Sequence, residues 1–178
     1  MSTGAASRLV LLRHAKSAWP DVADHKRPLG PRGLRDAPAA GRWLRDAGRV
    51  PTLVICSTAR RTRETWALAA GQLGAEVPVR FDERVYAAEP EDLLEVVSEV
   101  PAEVRTLLLV GHNPGLADLA VELAREAEDP AEAAAIERLS EKFPTSAIAV
   151  LVCPGPWHEL TPGSARLTDF AVPRGAAL

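Results

Sequence analysis

The stretch Arg8-Leu9-Val10-Leu11-Leu12-Arg13-His14-Ala15-Lys16-Ser17 decides how the rest of the chain is read. Four apolar residues in a row, Leu9 to Leu12, show neither the period of an amphipathic helix nor polar alternation. A short continuous apolar run is the pattern of a strand buried on both faces, here Arg8 to His14, as in a parallel sheet covered by helices. Working outward, similar runs recur at Thr52–Cys56, Val77–Phe81, Thr106–Val110, Ala147–Val152 and Arg166–Val172. Between them apolar residues return at helical spacing. Leu34 to Ala47 predicts a helix stopped by Gly48. A second, capped by Ser57 or Thr58, runs to about Leu73 and ends at Gly74. Glu91–Val100 follows Pro90, and another helix starts with Asn113 as cap and Pro114 in the first position and runs to about Glu126. Pro130–Leu139, rich in Ala and Glu, is the last, and Pro154–Gly163 is a turn-rich connection. Strands alternating with helices predict an α/β fold, a three-layer αβα sandwich with a mainly parallel central sheet. The 178 residues suit a single domain spanning 1–178.

Composition narrows the function classes. The chain is 47% hydrophobic and 25% charged, with 21 Lys+Arg against 24 Asp+Glu and a net charge of -3. That balance argues against a dedicated nucleic-acid binder, which carries a basic excess or stripe. Cys56 and Cys153 fall in apolar runs and read as buried free thiols in a reducing compartment. The first apolar run is broken at once by Arg13 and His14, too soon for a signal peptide, and no stretch approaches the ~20 apolar residues of a membrane span. A cytoplasmic location is expected, with neither membrane nor nucleic acid as partner.

Open α/β sheets bind ligands beyond the carboxyl ends of their strands. The first strand ends in Arg13-His14. The second ends in Ser57 and enters a helix carrying Arg60, Arg61 and Arg63. The third leads to Glu83 and Arg84, and the fourth ends in Gly111-His112-Asn113. Two histidines, several arginines and a carboxylate thus converge on one sheet edge. Arginine offers planar paired donors matched to phosphate oxygens, and the helix starts after Ser57 and His112 add N–H groups and positive dipole ends. The chain has no GxxxxGK[ST] loop, no GxGxxG fingerprint and no acidic cluster suited to Mg²⁺. A phosphate site of Arg and His with no metal or cofactor leaves histidine as the nucleophile.

The residues Val10 to Ser17 resemble the Arg-His signature of the histidine phosphatase superfamily, the phosphoglycerate-mutase-like fold. Arg27-Pro28-Leu29-Gly30-Pro31-Arg32-Gly33 is similar to the family's "RPL…G" stretch, Ser57 to Thr65 to its second arginine motif, and Gly111-His112-Asn113-Pro114 to its second-histidine motif. Phe143-Pro144-Thr145-Ser146-Ala147 resembles a segment of the small SixA-type phosphohistidine phosphatases. The resemblance implies a two-step phosphatase. His14 attacks phosphorus and becomes phosphohistidine, and water then releases phosphate. It implies Arg13, Arg61 and His112 around the phosphoryl oxygens, Arg27 as a further phosphate contact, and Glu83 as general acid with Asp82 and Glu89 as rivals. His14 must be neutral and His112 serves best protonated, which predicts an ascending limb of kcat between about pH 5 and 7. The implied substrate is a phosphohistidine protein; the alternative is a small phosphorylated metabolite such as a nucleotide or sugar phosphate. A catalytically dead phosphate-recognition module is a third reading, opposed by the intact Arg13, His14, Arg61 and His112.

Other residues read plainly. His25 and His158 lie in polar turn-like stretches, and Arg60 is expected to pair with Glu64 across one helical turn. The acidic segment Arg125 to Lys142 reads as a solvated helix, with a lid or docking surface as the alternative.

Overall fold

The structure is a computed structural model that describes residues 6–176. Six strands of the described residues, β1 (Ser7–Arg13), β2 (Leu53–Cys56), β3 (Val79–Phe81), β4 (Thr106–Gly111), β5 (Ile148–Cys153) and β6 (Arg166–Ala171), form one sheet in the order β3-β2-β4-β1-β5-β6. β1, β2, β3 and β4 pair in parallel, while β5 is antiparallel to both β1 and β6. The mainly parallel sheet expected from the alternation is therefore present. β5 alone runs against it, and a short turn-rich connection rather than a crossover helix suffices to join β5 to its antiparallel neighbour β6.

Among the described residues five α-helices cover the sheet: α1 (Pro31–Asp46), α2 (Arg60–Ala70), α3 (Pro90–Ser98), α4 (Gly115–Leu123) and α5 (Pro130–Glu141). The unbroken apolar strands feed two cores at once. Val10, Leu12, Val54, Leu108 and Val110 pack against Ala40 and Leu44 of α1 and Trp66 and Ala69 of α2. Leu9, Leu11, Ile55, Leu107 and Leu109 face Leu93 and Val97 of α3, Leu116 and Leu119 of α4, and Leu139 of α5. This is the three-layer sandwich that the Leu9–Leu12 run implies, since neighbouring residues of one strand point to opposite layers. Cys56 and Cys153 are both buried free thiols. No helix of the described residues is long and apolar enough to cross a membrane.

Several element ends differ from expectation. α1 begins at Pro31, three residues before Leu34, because Pro31 in the first turn needs no N–H partner. α2 is capped by Ala59, not by Ser57 or Thr58. α4 is preceded by Pro114 as cap and stops at Leu123, where Ala124 leaves the helix to bridge Ala165. Asn113 still serves the helix start, its Oδ1 accepting from Ala117 N at 3.3 Å.

Register aligns the strand ends that matter. Arg13 is paired with Gly111, Leu12 with Val110, and Cys56 with Val110, so β2, β4 and β1 finish side by side. The loop after β1 is then pinned from the α1 side. A Cβ on Gly33 would lie 2.1 Å from Lys16 O, so only glycine lets α1 pass this close. Gly30 N donates to Lys16 O and Ala18 N to Pro28 O, both at 2.9 Å. The RPL…G stretch thus acts as a backbone clamp on the residues that follow His14.

Candidate active site

Beyond the carboxyl ends of β1, β2 and β4 lies a cleft of about 230 Å³ lined by Arg13, His14, Lys16, Ser17, Trp19, Arg27, Arg61, His112, Asn113 and Thr145. Five of the six residues singled out by sequence therefore meet there. Glu83 does not: it is exposed in a 3-10 turn, Glu83–Val85, outside the lining.

His14 continues β1 and is held by its N–H donating to Gly111 O at 3.0 Å. The residue is 7% exposed, and Nδ1 lies 2.7 Å from Ala15 O. A carbonyl only accepts, so Nδ1 carries the proton and Nε2 keeps its lone pair. Burial, and then the charges of Arg61, Arg13 and Arg27, push the imidazole down to about 4, against a raising effect of the Ala15 hydrogen bond. Thr65 steadies the next peptide: its Oγ1 accepts from Ala15 N at 3.0 Å and donates to Arg61 O at 2.7 Å.

His112 faces His14, with ring centroids 5.3 Å apart. Its Nε2 shares a 2.8 Å hydrogen bond with Ser57 Oγ, and its Nδ1 is buried without a hydrogen-bond partner. Burial first, then His14 and Arg61, push it down to about 3, so the free site holds His112 neutral. The protonated His112 that suits phosphate requires the incoming dianion, which reverses the local charge.

The three arginines are fixed differently. Arg13 donates to Phe143 O at 3.0 Å and is lowered by burial and by Arg61, though guanidinium stays charged at ordinary pH. Arg61, 6% exposed, donates to Asp24 O at 2.8 Å and Asp24 Oδ2 at 3.1 Å. Arg27, 8% exposed, spends a donor each on Ala18 O, Asp24 Oδ1 and Ser17 Oγ, and so braces the loop as well as lining the cleft.

Asp24 went unnoticed in the sequence because it sits in a polar stretch with no periodicity. Its carboxylate accepts from Tyr86 Oη at 2.5 Å as well as from Arg27 and Arg61, and these bonds hold it well below the usual carboxylate range. The same bond raises the Tyr86 phenol. Ser57 has two tasks. Its Oγ accepts from Ala59 N at 3.3 Å, and it also positions His112. The Phe143–Ala147 segment enters through backbone: Phe143 O accepts from Arg13 and, at 2.7 Å, from Asn113 Nδ2, and Ser146 N donates to Arg13 O and His14 O.

The three candidate acids separate clearly. Asp82 is bound to Arg84 through both backbone and guanidinium. Glu89 caps α3 in a capping box with Asp92. Glu83 joins no ion pair among the described residues and sits one turn before Tyr86. Arg60 pairs with Glu64 at 2.8 Å on the exposed side of α2, as its spacing predicts. Arg63 also points away, over Phe81 and onto Thr58 O. The acidic helix α5 keeps Glu132 in a pair with Arg125, away from the cleft-lining residues.

Residues 9–151 match the sequence model of the histidine phosphatase superfamily, branch 1. A protein of Mycobacterium tuberculosis (strain ATCC 25618 / H37Rv) is 49% identical over 164 residues, covering 92% of this chain and 100% of its own length. Among solved structures, a protein of Nakamurella multipartitia provisionally named phosphohistidine phosphatase SixA is similar at TM-score 0.82 and 35% identity, over 97% of this chain and 99% of that one. One of Agrobacterium tumefaciens with the same provisional name is similar at TM-score 0.75 and 31% identity, over 96% and 100%.

Proposed function

This chain belongs to the histidine phosphatase superfamily and is a phosphatase with the phosphoglycerate-mutase-like fold, and from that premise we propose that it removes phosphoryl groups from phosphohistidine side chains of proteins through a covalent intermediate on His14. The observation that carries the nucleophile is the tautomer: with Nδ1–H given to Ala15 O, His14 offers Nε2 as a neutral base inside a ring of cations. Nε2 attacks phosphorus in line, the bond from phosphorus to the leaving nitrogen breaks, and the leaving ring, already protonated on its other nitrogen, takes the electron pair and departs as neutral imidazole. Water then attacks the phosphoryl group, the Nε2–P bond breaks, and orthophosphate departs with His14 neutral again. Arg13, Arg61 and a charged His112 stabilise the equatorial oxygens in both steps.

The substrate reading rests on the leaving group. None of the described residues lining the cleft is a carboxylate. Asp24, the carboxylate bonded to Arg61, is held far too acidic to donate a proton near neutral pH. An alkoxide leaves badly without a proton, and a placed general acid is worth ~10²–10⁴-fold. Imidazole leaves far more readily. The names of the Nakamurella and Agrobacterium structures support the same choice. Glu83, in the turn outside the cleft lining, is the proposed donor for phosphoester substrates. The alternative, a phosphomonoesterase of small metabolites, depends on that donor.

The test is direct competition, without added metal, between a phosphohistidine-bearing protein and a panel of sugar and nucleotide phosphates. The phosphohistidine protein is expected to win in kcat/KM by at least about 100-fold. Glu83→Gln should slow alkyl phosphates and spare phosphohistidine. A metabolite that outcompetes the phosphoprotein, or Glu83→Gln slowing both alike, overturns the assignment.

The pH dependence follows from the same geometry. In the free enzyme His14 loses its proton near 4, so kcat/KM should rise through about pH 4 and show no His14 loss at pH 5 to 7. A bound phosphate dianion favours the imidazolium, which moves the limb of kcat upward toward the ~6.5 of free imidazole. Profiles of both parameters between pH 3.5 and 8 check this, and a kcat/KM limb centred near ~6.5 contradicts it.

A further inference from the structure

Trp19 is the most exposed large apolar side chain among the described residues, at 77%, yet it lines the cleft. It is not loose. One face of its indole lies on the Arg27 guanidinium, 3.4 Å from carbon to ring centroid. Arg27 is in turn fixed by Ala18 O, Asp24 and Ser17. The ring is therefore held in a set orientation with its outer face open. A rigid platform loses little freedom when something stacks on it. Of the residues lining the cleft, Trp19 has the only aromatic ring besides the two histidines.

In-line displacement puts the leaving atom opposite the attacking nitrogen. His14 is 7% exposed, whereas Trp19 and Lys16 of the same lining are exposed, so a leaving group opposite the buried nitrogen is directed toward the solvent side that Trp19 and Lys16 share. We propose that Trp19 is a specificity-determining residue: its open face receives the planar ring of the leaving group, so that substrates whose phosphorus is bonded to an aromatic ring or its oxygen are preferred over aliphatic phosphates. This deepens the phosphohistidine reading and rests on it for the natural ring, an imidazole. The negative face of an indole suits an imidazole that is protonated, and so positively charged, while its bond to phosphorus is still intact.

The experiment compares wild type, Trp19→Leu and Trp19→Phe on three substrates: phosphoimidazole, p-nitrophenyl phosphate and glycerol 2-phosphate. Trp19→Leu should lower the ratio of kcat/KM for each ring substrate over glycerol 2-phosphate by about 10-fold, mostly through KM, and Trp19→Phe should restore most of it. A disturbed Arg27 would slow all three substrates alike, because all carry the same phosphoryl group. Equal loss on the three, or no rescue by Trp19→Phe, overturns the proposal. Should wild type prefer metabolites to phosphohistidine proteins, the function assigned above fails on its own. The p-nitrophenyl to glycerol phosphate ratio still decides the part played by Trp19.

Discussion

Replacing His14 with alanine is expected to lower turnover of every phosphorylated substrate by at least about 10³-fold, the largest effect of any single change in this protein. No second group in the cleft repeats what His14 does. His112 has its Nε2 tied to Ser57, and the remaining lining residues are arginines, lysine, hydroxyls, an amide and an indole. With wild type, quenching during turnover of a labelled substrate should trap phosphoryl on the protein, stable in alkali and lost in acid. The variant should trap none. Residual turnover above a tenth of wild type, or an unchanged trap, defeats the nucleophile assignment.

The same variant reports on the electrostatics of the site. The fold holds His14 at about 4, whereas an unfolded chain protonates it near ~6.5. Between those values the unfolded chain takes up a proton that the folded chain refuses, so stability falls as pH drops from ~6.5 to about 4. The contribution approaches about 3 kcal/mol at the acid end. His14→Ala lacks it, so its thermal midpoint at pH 4.5 should move toward or above that of wild type. An inactive variant that is more acid-stable than its parent has lost chemistry and kept its fold.

Arg61→Lys is expected to lower kcat/KM by about 10²-fold, since a point charge replaces a planar fork at a site of developing charge. Arg61 is buried, grips Asp24 with both terminal nitrogens, and faces His14 closely enough to depress it. Lysine keeps the charge and loses the planar pair of nitrogens, so inhibition by orthophosphate should weaken alongside kcat. Arg60→Ala is the control: one residue away, it removes an exposed pair with Glu64 and should stay within about 2-fold of wild type. Similar losses for the two arginines would mean that Arg61 acts only through net positive charge.

Much of the site was legible because strand ends are legible. Leu9–Leu12 and Thr106–Val110 are continuous apolar runs, and whatever follows such runs must emerge at a sheet edge. Arg13-His14 and Gly111-His112 emerge there together because β1 and β4 are paired in register. Arg61 was recognisable from its motif, and its separation from Arg60 and Arg63 followed from helical spacing. Glu83 was harder to place, since an exposed turn carries no pattern that says where its side chain reaches.

The amino-acid sequence by itself determined the α/β layering and the identity of the cation-rich strand ends, because hydrophobic period and residue chemistry are local properties. Only the tertiary structure decided the protonation and the company of those residues. His14 is neutral because burial and three arginines from separate segments surround it. Asp24, silent in the sequence, reaches Arg27, Arg61 and Tyr86 across a folded loop. Trp19 is made a platform by the Arg27 guanidinium packed beneath it, a contact between residues of one folded loop. Such interactions are set by distance in space and by loss of water, and neither is written in the spacing of residues along a chain.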